Sequence, residues 1–484
     1  MVGIKGTGMA SLAALLKTFG ASVSGCDVPE HFLTDALLCH HGIPVEEGFS
    51  PSLLDDGLAL VVHSTAYPLS LPILIQASAL GLEIYSYPQF LAFLSSESDS
   101  YAVAGTHGKT STVATTSFLL STGTLTTFPF YSIFGSQLQH ASTVPCQGTK
   151  IALFEACEYQ DHFLSYHLRG ALVTNIELDH PDFFPSEAAV QQSFEKFVDN
   201  LAKGGFLICC SDDPGSRRLA AYCRHHRKDL TLLTYGFQDS GPFRIMQNSY
   251  GGGYTLSCLE GGSFTTTVNE RALVGNQVGS VILALSMILD RENPKLYLES
   301  GTLITAEVIP TLAKMLSAKL AQFPGTVGRC ELMAQEQDVL YFDDYAHHPT
   351  EIVTTLGELQ SRYPSRRILV IFAPHTASRT LTLLNDFVLA LGKADRVIVQ
   401  ACFASARHDG SQEDDSGKKL AEALGTRIMR TTRCSCHAVA YAKDDEEAVA
   451  LGASWLQPHD LCITMGAGNN RPLSALIAQK RRSL

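Results

Sequence analysis

The stretch AGTHGKTST, Ala104 to Thr112, limits what this chain can fold into more than any other. Gly105, Gly108, Lys109 and Thr110 make a short phosphate-binding loop, and such loops sit between a buried strand and the first turn of a helix. The apolar run SYAVAG leads into it, and an apolar helical stretch follows. A standard loop reads G-x-x-x-x-G-K-[ST]. Here Val103 stands five positions before Gly108, so the loop is tighter, and His107 lies beside its second glycine. Backbone N–H groups from Gly105 to Lys109 can cradle phosphate oxygens. Lys109 can reach the β- and γ-phosphates, and Thr110 can ligate Mg²⁺. The loop predicts an α/β protein that handles a nucleotide phosphate.

The rest of the chain repeats that pattern in three blocks. Its 484 residues suit about three domains of ordinary size. Block 1–98 opens on a Gly-rich turn and an apolar helix, then gives the strands ASVSGCDV and LALVVHST. Block 99–322 carries the loop, three further apolar strands (KIALFEACEY, GALVTNIELDH, KGGFLICCSDD) and a Gly-rich segment, residues 249–268, that reads as a β-hairpin insertion. Block 323–484 has four apolar strands in VLYFDDYAHHP, RILVIFAPHTASRT, ADRVIVQACF and DLCITMGAG. Strands alternating with helices predict parallel sheets, whose sites lie just past the strand ends.

Composition narrows the partners. A net charge of −12 argues against binding to nucleic acid or an anionic membrane. No wholly apolar run reaches the roughly 18 residues of a membrane span, and the first residues lack the pattern of a signal peptide. Thirteen cysteines form neither a disulfide framework nor a zinc pattern, which suits a reducing cytoplasm. Cys434-Ser-Cys436-His437 lacks the second ligand pair that a metal site needs.

Other motifs cluster at predicted strand ends. GIKGTGM, Gly3 to Met9, reads as a turn that brings backbone near a diphosphate, or as a plain strand–helix turn. Asp27 ends the next strand, where such folds grip a ribose hydroxyl. Only Met1 and Val2 precede Gly3, a short allowance for a parallel strand. FEACEY places Glu155 and Glu158, and TNIELDH places Asn175, Glu177, Asp179 and His180, at neighbouring strand ends beside the loop. Together these groups suit metal ions that bridge phosphates; singly, each reads as a solvated loop residue. DDYAHHPTE and APHTASRT place His347, His348 and Arg379 where a carboxylate can bind. Arg329 offers a phosphate-facing cation.

GTHGKT, FEACEY, TNIELDHPD, DDYAHHPTEI and PHTASRT, in this order over nearly the whole chain, resemble the Mur ligases. His107, EACEY and PHTASRT make the likeness strongest to the branch that adds the first amino acid, L-alanine, to UDP-N-acetylmuramate. The muropeptide-recycling branch usually reads EADEY and NNLEFDHAD instead. The resemblance implies a three-domain α/β architecture: a Rossmann-like domain for the UDP-sugar, a P-loop central domain for ATP and a Rossmann-like C-terminal domain on the amino-acid side. It implies a cytoplasmic enzyme, monomer or homodimer, that uses ATP and Mg²⁺ and passes through an acyl phosphate.

By the same resemblance, Lys109, Glu155 and His180 are catalytic, and Thr110, Glu155 and His180 ligate the metal. Gly105, Thr106, His107, Gly108, Lys109, Thr110, Ser111, Arg329 and Asp343 bind ATP. Gly6, Thr7, Gly8, Met9, Asp27, Ser64, Thr65 and Asn175 bind the UDP-sugar. His347, His348 and Arg379 hold the amino acid.

Two stretches depart from the family pattern. Lys5 replaces a glycine of the first loop. In GNQVGSVILAL, Gly275 to Leu285, Gln277, Val278 and Val281 stand where the family has the His and two Asn that contact adenine. Three other readings stay open: the recycling ligase, an NAD-dependent dehydrogenase suggested by GIKGTGM and Asp27, and a regulator that binds UDP-sugar without turnover.

Overall fold

The computed structural model describes all residues except 56, 122–127, 142–143, 249–252, 259–262, 293–313, 403–414, 431–433, 467, 469 and 484. The chain packs as two compact units. Met1–Asp179, Phe183–Thr267 and Leu273–Gly325 form the first; His180–Asp182, Val268–Ala272 and Thr326–Leu484 form the second. The main break in the chain between them follows Gly325. The first two sequence blocks share a unit but keep separate sheets.

The N-terminal sheet is parallel. β1 (Gly25–Asp27) pairs with β2 (Val45–Glu47), and β3 (Leu60–His63) pairs with β4 (Glu83–Ser86). Val2 joins the two pairs through single bridges to Cys26 and His63. One residue thus bridges both strand pairs just before the Gly-rich turn. That turn feeds α1 (Thr7–Thr18), whose residues Met9 to Leu15 are buried. Helices α2 (Asp35–His40), α3 (Pro72–Ala79) and α4 (Tyr87–Ser96) complete this part. A Ser86/Gln89 capping box fixes the start of α4.

The second sheet holds β5 (Asp99–Ala104), β6 (Phe130–Ile133), β7 (Ile151–Glu155), β8 (Gly170–Val173), β9 (Phe206–Cys210) and β10 (Thr231–Tyr235) in the order β10-β9-β8-β5-β7-β6. Every pairing is parallel. These strands are apolar on both faces because helices cover both. β5 lies between β7 and β8, so the loop after it meets the ends of both neighbours. The helices here are α5 (Lys109–Leu120), α6 (Glu187–Asp199), α7 (Pro214–His226) and α8 (Arg271–Glu292).

The stretch Arg271–Asp290 of α8 is long and apolar enough to cross a membrane by composition, with mean hydropathy 1.8, yet 78% of it is buried inside the protein. Near its end, Asp290 accepts two bonds from Arg169, at 2.7 and 2.9 Å, and one from the Tyr101 hydroxyl at 2.6 Å. A buried carboxylate with three charge-assisted or hydroxyl donors anchors the helix to β5. The described part of the Gly-rich segment supplies β12 (Tyr254–Leu256) and β13 (Ser263–Phe264), which pair antiparallel and add β11 (Ile245–Gln247). The expected hairpin is thus a three-stranded ribbon.

The second unit has one sheet, ordered β14-β15-β19-β16-β17-β18. β15 (Val339–Asp344), β16 (Ile368–Ala373), β17 (Arg396–Gln400) and β19 (Leu461–Gly466) are the four strands read from sequence. The sequence reading did not include β14 (Glu331–Glu336), which mixes polar and apolar residues, or β18 (Ala438–Ala442), a short Ala-rich strand; both lie at the edges of the sheet. β14 runs antiparallel to β15; the other pairings are parallel. Cys434 and Cys436 direct their thiols to the carbonyls of Gly392 and Ala438, at 3.5 and 3.3 Å, rather than toward each other.

Candidate active site

The loop after β5 is shaped by its glycines and by the end of β8. Gly105 and Gly108 take φ of +133° and +80°, the region that favours glycine. The Thr174 hydroxyl donates to the His107 carbonyl at 2.6 Å. Asn175 clamps the same residue from both sides: its Oδ1 accepts from His107 N–H at 2.8 Å, and its Nδ2 donates to the His107 carbonyl at 3.1 Å. The Thr106 hydroxyl bonds the backbone of Glu177. His107 Nε2 lies 3.5 Å from Glu177 Oε2. Asn175, expected at the UDP-sugar, therefore has its side chain engaged with the phosphate loop.

Lys109 is held from several directions. Its ammonium donates to the carbonyls of Gly105 and Thr106, at 2.5 and 3.0 Å, and to Glu158 at 2.9 Å. Burial works against the charge, but the Glu158 carboxylate outweighs it and keeps the ammonium protonated beyond the ordinary lysine range. Glu158 is 1% exposed, so its charge faces no solvent. Sequence alone placed Glu158 at a strand end without showing that it meets the loop lysine. Two residues further on, Gln160 and Asp161 take left-handed φ of 54° and 59°, strain that a bond from Ser193 to Asp161 helps to hold.

Glu155 closes the group. Its Oε1 accepts from the Thr110 hydroxyl at 2.8 Å, and its Oε2 from Gly135 N–H at 2.7 Å. A side chain on Gly135 would also meet Thr7 Oγ1, at 3.6 Å. The first turn of α1 thus approaches the carboxylate at the phosphate loop. Ser11 of α1 bonds the neighbouring carbonyl of Phe134 at 3.0 Å. A Cβ on Gly8 would lie 2.6 Å from the Tyr87 hydroxyl, so a larger residue there would have to displace that ring. Ser111 follows Thr110 in the first turn of α5.

At the first loop, Asp27 accepts from Lys5 N–H at 2.6 Å and from the Tyr67 hydroxyl at 2.9 Å. Lys5 turns its own ammonium onto the carbonyls of Val28 and Glu30, both at 2.8 Å. The lysine that replaces a family glycine therefore ties the turn to the segment after β1. Ser64 N–H bonds the carbonyl of Val2 at 2.9 Å, and Thr65 is exposed in the next turn. Gly6 and Thr7 are exposed, Gly8 half-buried and Met9 buried.

The altered adenine segment lies on α8. Val278 and Val281 are fully buried. Gln277 donates to Thr267 Oγ1 at 2.5 Å. Asn276, which sequence reading passed over, packs its amide 2.5 Å from where a Gly108 Cβ would stand. Ser280, one turn on, bonds the carbonyl of Thr112 at 3.1 Å. The face of α8 toward the loop thus carries Asn276 and Ser280.

In the second unit, Asp343 accepts from Thr464 at 2.8 Å and lies 3.5 Å from Arg471. Arg471 makes a two-pronged pair with Glu331, at 2.6 and 2.8 Å. Burial raises the Asp343 carboxyl, and Thr464 and Arg471 act the other way. Asp344 is deeper, and burial pushes it up to about 6. Arg329 stacks over the Tyr345 ring, 5.0 Å from its centre. His180 is grouped with this unit and takes a left-handed φ of 52°.

The ends of β15 and β16 bring three expected or neighbouring groups together. The His347 and His375 rings are 5.4 Å apart, and Arg379 Nη1 lies 3.0 Å from His375 Nδ1. Arg379 is 4% exposed. His348 does other work: it caps the helix Pro349–Arg362, its Nδ1 accepting from Thr350 N–H at 3.3 Å. Thr376 caps the short helix Ala377–Thr382.

The chain belongs to the Mur ligase family. Residues 1–98 match the Mur ligase family catalytic domain, 103–276 the Mur ligase middle domain and 328–468 the Mur ligase glutamate ligase domain. A UDP-N-acetylmuramate–L-alanine ligase of Treponema pallidum is 34% identical over 482 residues, which covers 99% of this chain and 95% of that protein. Among solved structures, a UDP-N-acetylmuramate–alanine ligase from Thermotoga maritima shares the fold with a TM-score of 0.73 at 21% identity, covering 100% of this chain and 98% of that one. A murein peptide ligase from Psychrobacter arcticus gives 0.66 at 19%, with the same coverage. The fold is therefore common to both branches weighed from the sequence.

The Lys109–Glu158 pair predicts a measurable loss. Glu158→Gln keeps the shape but removes the charge that aims the lysine. A hydrogen bond to a charged group contributes about 1.5–3 kcal/mol, so kcat is expected to fall about 10–100-fold. Steady-state rates at saturating substrates test this, and an unchanged kcat would leave Glu158 a purely structural role.

Proposed function

We propose that this chain ligates L-alanine to the lactyl carboxylate of UDP-N-acetylmuramate, cleaving ATP to ADP and phosphate, in peptidoglycan precursor synthesis. Full-length similarity to ligases of that activity supports the acceptor. The observation that carries the chemistry is the Lys109–Thr110–Glu155 group beside the first turn of α1. A sugar nucleotide with its diphosphate at α1 would extend its carboxylate toward a γ-phosphate at Lys109.

A free carboxylate is a poor acyl donor, because its oxygen leaves badly. Its attack on the γ-phosphorus gives an acyl phosphate, whose phosphate leaves well. Two anions must meet for this, so the residues supply positive charge: the Lys109 ammonium and the loop N–H groups act on the transferring phosphoryl group. Thr110 and Glu155 offer adjacent hard oxygens, the donors that Mg²⁺ prefers, and His180 carries its metal role from the family resemblance alone. Mg²⁺ bound there supplies further charge to the phosphate oxygens. Arg379 and His375 hold the alanine carboxylate. The enzyme is proposed to act in the cytoplasm, which suits thirteen cysteines without a disulfide framework.

Phosphate release that requires UDP-N-acetylmuramate, L-alanine and ATP together tests the reading. Release that needs no sugar nucleotide, or no release at all, would overturn it. Nucleobase choice gives a second check. With Val278 and Val281 buried and Gln277 tied to Thr267, the usual base contacts are absent from this helix. Two neutral hydrogen bonds contribute about 1–3 kcal/mol together, so GTP should support turnover within about tenfold of ATP. Strong rejection of GTP would mean that another segment reads the base.

A further inference from the structure

We propose that His347 is the general base that accepts a proton from the attacking alanine amine; this rests on the reaction proposed above. The geometry assigns its tautomer. His347 Nδ1 lies 2.9 Å from the Tyr345 carbonyl and 3.5 Å from Glu351 Oε2, and both are acceptors only. Nδ1 therefore carries the proton, and the basic lone pair is on Nε2. The adjacent Glu351 carboxylate also accepts from His347 N–H at 3.0 Å, so ring and backbone are fixed by the same group.

His375 has the opposite tautomer. Arg379 can only donate, so His375 Nδ1 accepts its N–H and the proton of His375 is on Nε2. The two rings, 5.4 Å apart, thus offer a donor and guanidinium for a carboxylate and a base for an amine. That pair of functions fits the two ends of an α-amino acid. His348 is excluded from the base role by its work as the helix cap.

In the step itself, alanine first loses one proton to solvent to become the free amine. Its nitrogen lone pair attacks the acyl carbon and forms the C–N bond. As it does, one N–H proton passes to His347 Nε2, and the imidazolium is stabilised by Glu351. The tetrahedral adduct then breaks its C–O bond, and phosphate leaves with the electron pair. His347 returns its proton to solvent.

The test compares two acceptors on wild type and His347→Gln. Hydroxylamine is a weakly basic nucleophile that attacks acyl phosphates without a protein base. With L-alanine, kcat of His347→Gln should fall about 10²–10⁴-fold, as for loss of a general base, while KM for ATP and UDP-N-acetylmuramate stays within about threefold. Hydroxamate formation should stay within about twofold of wild type, which also shows that the variant folds and activates its substrate. Glu351→Gln should give a smaller loss confined to alanine. A kcat within about fivefold of wild type, or equal losses with both acceptors, would overturn the assignment. If wild type itself shows no alanine-dependent turnover, the proposed reaction fails instead.

Discussion

Lys109→Met is expected to lower kcat by about 10³-fold or more with the fold intact, because a cation fixed at the transferring phosphoryl group acts mainly in the transition state. Methionine matches the length of the lysine stem, so packing around the loop is kept. The charge balance is not. Glu158 is 1% exposed, and the substitution leaves its carboxylate buried without its cation. Removing one partner of a buried pair costs about 3–5 kcal/mol of stability. The double variant Lys109→Met/Glu158→Gln removes that orphaned charge and should recover stability while activity stays lost. Thermal unfolding and phosphate release on both variants separate the two effects. Activity within tenfold of wild type in either would remove Lys109 from the chemistry.

The sequence was most readable where one backbone shape needs one residue type. The loop from Gly105 to Thr110, the strand before it and the four inner strands of the second unit all stand as read. These depend on local rules: glycine at positive φ, and apolar runs for strands covered on both faces. Side-chain partnership was less readable, since it depends on which strand ends become neighbours. FEACEY shows two carboxylates three residues apart, but only the fold sends Glu155 to Thr110 and Glu158 to Lys109.

Single-residue devices were hidden for the same reason. A Val2 bridge has no periodic signature, and Lys5 looked like a lost glycine until its ammonium was seen on Val28 and Glu30. The pair His375–Arg379 is a helical i, i+4 spacing that begins before its helix does, so the pattern alone did not tie them.

Arg379→Ala should raise KM for L-alanine about 10²-fold and leave KM for ATP within about threefold, because the lost guanidinium–carboxylate pair is charge-assisted and desolvated. The structure gives a reason to expect the whole effect at one residue. Thr376 caps the helix that holds Arg379 and has its hydroxyl facing that helix's first turn, and Arg379 is the one guanidinium in APHTASRT. Arg379 itself is 4% exposed and is oriented by His375, so in the proposed role its guanidinium is placed before a carboxylate arrives. Discrimination beyond that clamp rests on size. One methylene in a pocket is worth only about 10–200-fold, so glycine, and serine with it, should be poor but detectable acceptors. If alanine is the acceptor as proposed, L-Ala-D-Glu-diaminopimelate should not react. Phosphate release with the four acceptors in parallel, on wild type and Arg379→Ala, reads all of this at once. Preference for the tripeptide would replace alanine addition with the recycling reaction, and an unchanged alanine KM in the variant would move the carboxylate clamp elsewhere.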